Sequence, residues 1–138
     1  MKTYTFLITL FFCSLIFAQK SAFTGCENPK GRGMKTICKS KNFPALFSEY
    51  MYDVVRNYKN VPQGRANLKF VITAKGEMSQ LSYSDTNNEA FAKLALTILQ
   101  KKKQEFQQYK IFFIPIREKE TNQPINFTYE FPIYYSIE

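Results

Sequence analysis

The last stretch of the chain alternates side-chain character for eleven residues. Ile125, Phe127, Tyr129, Phe131, Ile133 and Tyr135 are interleaved with Asn126, Thr128, Glu130, Pro132 and Tyr134. Successive strand side chains point to opposite faces, so a single long, half-buried strand buries the whole first set at once. Proline has no N–H to give to a ladder, and Pro132 therefore predicts that this strand keeps at least one flank open. A second alternation, Ala66, Leu68, Phe70 and Ile72 against Asn67, Lys69, Val71 and Thr73, reads as another strand. It turns at Ala74-Lys75-Gly76-Glu77, with Gly76 supplying a positive φ, and returns over Met78 to Tyr83 with poorer alternation, which makes a hairpin.

Between the strands the period changes. From Pro44, the residues Leu46, Phe47, Tyr50, Met51, Val54, Val55 and Tyr58 recur at helical spacing, which predicts a helix over 44–58 that Pro62-Gln63-Gly64 closes off. Asp85 to Glu89 is a start signal for a second helix, with Thr86 and Glu89 spaced as a capping box. Phe91, Leu94, Ala95, Ile98 and Leu99 mark its buried face, and Lys101-Lys102-Lys103 suits its C-terminal end. Ile111 to Ile116 reads as a short strand and Arg117 to Asn122 as a charged turn. With 138 residues, 45% of them hydrophobic and 17% aromatic, the chain has material for one core and is too short for two. The class expected is α+β, with a small antiparallel sheet of about three strands and two helices.

The amino terminus reads as an address. Residues 3–18 are uncharged, follow Lys2 and end in Ala18, which predicts a signal peptide over 1–18 and a periplasmic or secreted protein. The alternative is a membrane anchor through residues 3–18, in which case the protein meets a membrane only because that segment is retained. Lipidation at Cys26 has the small residues Thr24 and Gly25 in its favour, but Phe23 and Lys20 against it. Cleavage after Ala18 removes Cys13 and leaves Cys26 and Cys38 as a pair in an oxidising compartment, so a disulfide is expected across residues 19–43. Closing that loop is worth about 3 kcal/mol in the chain-entropy picture. The segment itself, basic and glycine-bearing, reads as a tethered loop ahead of a domain over 44–138. Removing Lys2 lowers the formal charge from +8 to +7, an excess that favours acidic peptides or anionic membrane surfaces as partners.

Chemistry-bearing patterns are few. The chain has no His and only three Cys, which removes the commonest general base and leaves no four-thiolate metal site. Glu49 and Asp53 share a helix face as a hydrolytic carboxylate pair would, without a third group beside them in sequence, and a solvated face is the better reading. No phosphate-cradling glycine loop or nucleophile elbow is present, so no catalytic residue, metal or cofactor is expected. The triple lysine reads as a solvated helix end, since an exported protein rarely meets nucleic acid. Phe112, Phe113, Phe127 and Phe131 are read as core. Asn126-Phe127-Thr128 fits a glycosylation sequon but lies inside the expected final strand.

Several landmarks occur together in order: Leu68 to Met78 as strand-turn-strand, Glu89-Ala90 opening a helix, and Asn122-Gln123-Pro124-Ile125 running to Phe131-Pro132-Ile133-Tyr134. Gly25-Cys26-Glu27, with a second Cys ahead of the first helix, precedes them. In this the mature chain resembles the C-terminal domain of TonB, in its cysteine-bearing, Bacteroidetes-type form. The resemblance implies that both helices pack on one face of the sheet. It also implies that an edge strand receives an extended peptide of an outer-membrane receptor or another periplasmic protein. The final strand is the implied edge, presenting Asn126, Thr128, Glu130 and Tyr134. The chain departs from the family in lacking a Tyr-Pro step before the hairpin and any Trp after the second helix. With only Pro29 in residues 19–43 there is no proline-rich spacer either, which implies a stand-alone exported domain rather than an energy transducer. The bland alternative is an accessory domain whose sheet edge binds nothing.

Overall fold

A computed structural model describes residues 22–137. The expected signal peptide and Cys13 lie outside the described residues. The architecture is α+β, as expected, with antiparallel strands and three helices among the described residues. In chain order these are β1 (Phe23–Thr24), α1 (Gly31–Lys39), α2 (Phe43–Asn57), β2 (Gly64–Ile72), β3 (Met78–Ser84), α3 (Glu89–Tyr109), β4 (Phe112–Phe113), β5 (Ile116–Arg117), β6 (Pro124–Ile125) and β7 (Phe127–Tyr135). The main sheet has three strands in the order β3-β2-β7, so the first long strand is central and the final strand is an edge. Two small ladders join β1 to β4 and β5 to β6.

Local chemistry explains most boundaries. The side chain of Asn42 accepts a hydrogen bond from the Ala45 N–H at 2.9 Å, and Pro44 occupies the first turn, so α2 starts one residue before the expected position. Phe43, Leu46, Phe47 and Met51 are buried along it, whereas Tyr58, expected on the same face, is 65% exposed because the helix has already ended. The capping box does not form. Asn88 caps α3 through the Ala90 N–H at 3.1 Å, while Thr86 Oγ1 accepts from the Asn88 N–H at 3.0 Å. Nor does α3 stop at the lysines. Its buried face continues through Lys102 to Phe106, and the helix ends at Tyr109 with Lys110 in the left-handed conformation as its C-cap.

The segment expected to be a loop contains α1, a helix carried by the buried Ile37 and half-buried Met34 and Cys38. Cys26 and Cys38 form the expected disulfide. Gly25, at φ +88°, passes so close to α3 that a Cβ there would collide with the Lys110 carbonyl oxygen. Ile111 to Ile116 is not one strand. Phe112–Phe113 pairs with β1, and Ile116–Arg117 pairs with β6 across the charged turn, so neither piece pairs with β7; Ile116 does meet Ile125, the first residue of the expected final strand, which breaks at Asn126 into β6 and β7. Gly76 has the expected positive φ of 82°, and a side chain there would strike the Phe113 carbonyl, whose own N–H donates to Gly76 O at 2.9 Å.

The core is strongly aromatic. Phe43 from α2 meets Phe70 of β2, Phe106 of α3, Phe113 of β4 and Phe131 of β7 at ring-centroid separations of 5.4 to 5.9 Å. Such edge and tilted contacts add to the burial of apolar area, the main favourable term in folding. Phe23 closes the far end of this cluster, edge-on to Phe106 and Phe113. Of the four phenylalanines expected in the core, Phe113 and Phe131 are fully buried and Phe112 and Phe127 partly so.

Candidate functional site

The register of the final strand determines which of its main-chain groups face outward. β7 pairs with β2 without interruption from Gly64 opposite Tyr135 to Ile72 opposite Phe127, nine consecutive partners. Pro132, opposite Asn67, has no N–H for that ladder. In an antiparallel pair the hydrogen-bonding direction alternates residue by residue, so an unbroken ladder puts the Pro132 nitrogen on the far side from β2. By the same alternation the N–H and C=O groups of Thr128, Glu130 and Tyr134 point away from β2. Among the described residues, no strand pairs with that flank.

The opposite edge of the sheet is built differently. β3 shifts register against β2 between Lys69 and Val71, and Gln80 sits there with φ +52°. This bulge explains the poor alternation of Met78 to Tyr83, and it twists the strand so that a straight partner cannot follow it. One edge is therefore interrupted by a bulge and the other, β7, runs in unbroken register.

The side chains expected at the β7 edge are distributed unequally. Thr128, Glu130 and Tyr134 are exposed on the sheet face away from the helices, opposite Val71, Lys69 and Arg65. Asn126 falls in the break between β6 and β7, and its Oδ1 accepts the Ala74 N–H at 2.8 Å. That amide anchors the start of the strand to the hairpin turn instead of facing a partner.

Beside the far end of β7 lies a groove of about 350 Å³ that sequence reading did not find. Met51, Tyr52 and Val55 of α2 form one wall, and Ile133, Tyr134 and Tyr135 form the other. Tyr52 is 65% exposed beside this trough, and Ile133 and Tyr135, on the helix-facing side of β7, are buried or half-buried. The only sequence signal for it is that Tyr52 falls off the buried stripe of its helix. A larger hollow of about 590 Å³ lies where α2 ends against α3, lined by Tyr50, Val54, Tyr58, Leu94, Ile98 and Lys101 among others.

Titratable groups add little chemistry. Glu49 and Asp53 are both exposed, and Asp53 is paired with Arg56 at 3.2 Å. Among the described residues no group of three or more His, Cys, Asp or Glu is arranged to hold a metal ion. Burial, with the Glu105 charge second, raises the Tyr50 phenol above its ordinary value, and burial alone raises Tyr129. Tyr83 is raised by its hydrogen bond to the Glu89 carboxylate at 2.5 Å. Among the described residues no helix is long and apolar enough to cross a membrane, and the disulfide is compatible with export. Comparison with protein-family models, with curated proteins and with solved structures finds no match to this chain.

Proposed function

We propose that this protein is a periplasmic binding module that takes up an extended peptide by strand addition along the free flank of β7, as TonB C-terminal domains do with outer-membrane receptors. The observation that carries the reading is the contrast between the two sheet edges: β7 runs in unbroken register with β2 over nine residues and pairs with no strand on its other side among the described residues, whereas β3 is bulged. A partner strand would hydrogen-bond to the main chain of Thr128, Glu130 and Tyr134. Its side chains on the helix side would enter the groove between β7 and Met51, Tyr52 and Val55.

The competing reading is an accessory domain with an idle edge. It is favoured by Pro132 and Glu130, residue types that natural edges use to discourage unwanted pairing. A third reading, an energy transducer anchored through residues 3–18, is decided by whether the mature protein begins at Gln19.

Titration with extended N-terminal peptides of outer-membrane receptors, followed by amide chemical shifts, tests the first reading. Shifts are expected along β7 and at Met51, Tyr52 and Val55. Thr128→Pro removes an outward N–H while sparing the β2 ladder, and should weaken binding at least about tenfold. Shifts confined to other surfaces, or none at saturating peptide, would leave the idle-edge reading in place.

A further inference from the structure

The net charge is unevenly placed. Residues 22–41 carry Lys30, Arg32, Lys35, Lys39 and Lys41 against one carboxylate, Glu27, more than half of the excess of 17 cations over 10 carboxylates in residues 22–137. All five cations are exposed, and neither of the ion pairs among the described residues, Arg56–Asp53 and Lys102–Glu105, involves them. At 3.6 residues per turn, Arg32, Lys35 and Lys39 fall within an arc of about 60°. They lie opposite Met34, Ile37 and Cys38, which fasten α1 to the core.

Of the stripe, only Lys39, in the last turn, complements the dipole of the helix that bears it. The positive end of a helix dipole favours carboxylates, yet the first turn of α1 has no acidic residue, and Lys30 and Arg32 stand there instead. No side chain caps the N-terminus, and Gly31 and Gly33 lower helix propensity further. Lys30 and Arg32 stand where cations weaken their own element, on a helix that a disulfide holds in place, and with all five cations of the segment exposed and outside the ion pairs this points to a use outside the molecule.

We propose that the exposed face of α1 is an electrostatic docking surface for an anionic phospholipid membrane. The stripe is convex and lines none of the grooves described above, so it suits a plane of headgroups better than a single bound phosphate. Between its cations it carries only Thr36, whose hydroxyl donates to Arg32 O at 2.9 Å, and it has no aromatic or amide group to stack on or read a base. Charge complementarity thus selects a lipid surface over nucleic acid. The stripe also leaves the groove at Tyr134 free. β1, tied to α1 by the disulfide, pairs with β4 beside the Gly76 turn, at the end of the sheet opposite Tyr134.

The test is co-sedimentation of the full chain with vesicles of phosphatidylcholine alone and of phosphatidylcholine with phosphatidylglycerol, at low and high salt. Binding is expected only to the anionic vesicles and should be lost as salt is raised. The triple variant Arg32→Glu, Lys35→Glu, Lys39→Glu should bind on the order of 100-fold more weakly. A control of equal net charge, Lys59→Glu, Lys69→Glu, Lys93→Glu, should retain binding, with circular dichroism confirming that both variants are folded. Equal losses in both variants would reduce the effect to net charge and overturn the proposal. So would equal retention, which would assign binding to residues 1–18, or tighter binding to single-stranded DNA than to vesicles. Because Thr128→Pro leaves α1 untouched, failure of peptide capture and failure of membrane docking are separately visible.

Discussion

Lys102 is 4% exposed yet carries a charge: its Nζ bonds Glu105 Oε2 at 3.0 Å and lies 3.7 Å from the Tyr50 ring centroid. Its place in a run of three lysines suggested water on all sides. The structure separates the three, because α3 continues and turns the middle one onto the apolar face. Replacing a buried, paired cation by an apolar side chain of similar volume is often neutral, so Lys102→Met should change stability by less than about 1 kcal/mol. Lys102→Glu puts a second carboxylate beside Glu105 and should cost about 3 kcal/mol or more, both measurable by urea denaturation. The raised phenols of Tyr50 and Tyr129 give a pH dependence. The folded state favours their neutral form, so the stability they contribute is intact below the ordinary value of 10.0 and disappears as pH climbs through their folded values. Ultraviolet titration of the folded protein should therefore contain a lagging phenol fraction, part of which Tyr129→Phe removes. A single transition for all of its tyrosines would contradict this.

At the level of elements, the register of β7 makes a sharp distinction between neighbouring positions. Glu130 points its N–H to the open flank, whereas Tyr129 gives its own to β2. Glu130→Pro should cost within about 1 kcal/mol of Glu130→Ala, while Tyr129→Pro should cost about 3 kcal/mol more than Tyr129→Ala. Thermal unfolding of the four variants checks it, and equal penalties at the two sites would mean that the flanks are assigned the wrong way round. Strand and helix periods were legible because burial on one face imposes them, as Leu68, Phe70 and Ile72 illustrate. The helix α1 was not legible, since Gly31 and Gly33 lower its propensity and Met34, Ile37 and Cys38 are too few apolar residues to set a period; in the fold Ile37 is buried and Cys38 is bonded to Cys26. The capping box failed for a similar reason: Asn88 competes for the same position, and its Nδ2 also donates to the Gln63 carbonyl at 2.8 Å, a contact 25 residues away.

Over the whole molecule, the disulfide ties the residues after β1 to α1, and this N-terminal segment packs through Phe23 and Ile37 on a core made mostly by α2, α3 and the sheet. Its loss should relax that attachment before the core itself. The double variant Cys26→Ser, Cys38→Ser is expected to lose about 3 kcal/mol of stability. Amide exchange should quicken over residues 22–41 and at the β1–β4 ladder, while β2 and β7 stay protected. Uniform acceleration across the sheet would mean instead that the segment and the core unfold as one unit. The same arrangement keeps the two proposed surfaces apart: α1 is tied by the disulfide to the residues after β1, which pairs with β4 beside the Gly76 turn, and the groove lies at the other end of β7.

Composition and periodicity determined that this chain is α+β and that it has a hairpin and a long closing strand, and reading residues 1–18 as a cleaved leader left Cys26 and Cys38 to pair. Each follows from local burial patterns, or from a cysteine count that leaves few pairings. Tertiary structure decided what lies beside what. It made β2 central and left β7 with an open flank, placed a bulge in β3, carried α3 past its lysines and opened a groove between α2 and the far end of β7. Those outcomes depend on contacts between residues far apart in the chain, whose energies no local pattern encodes.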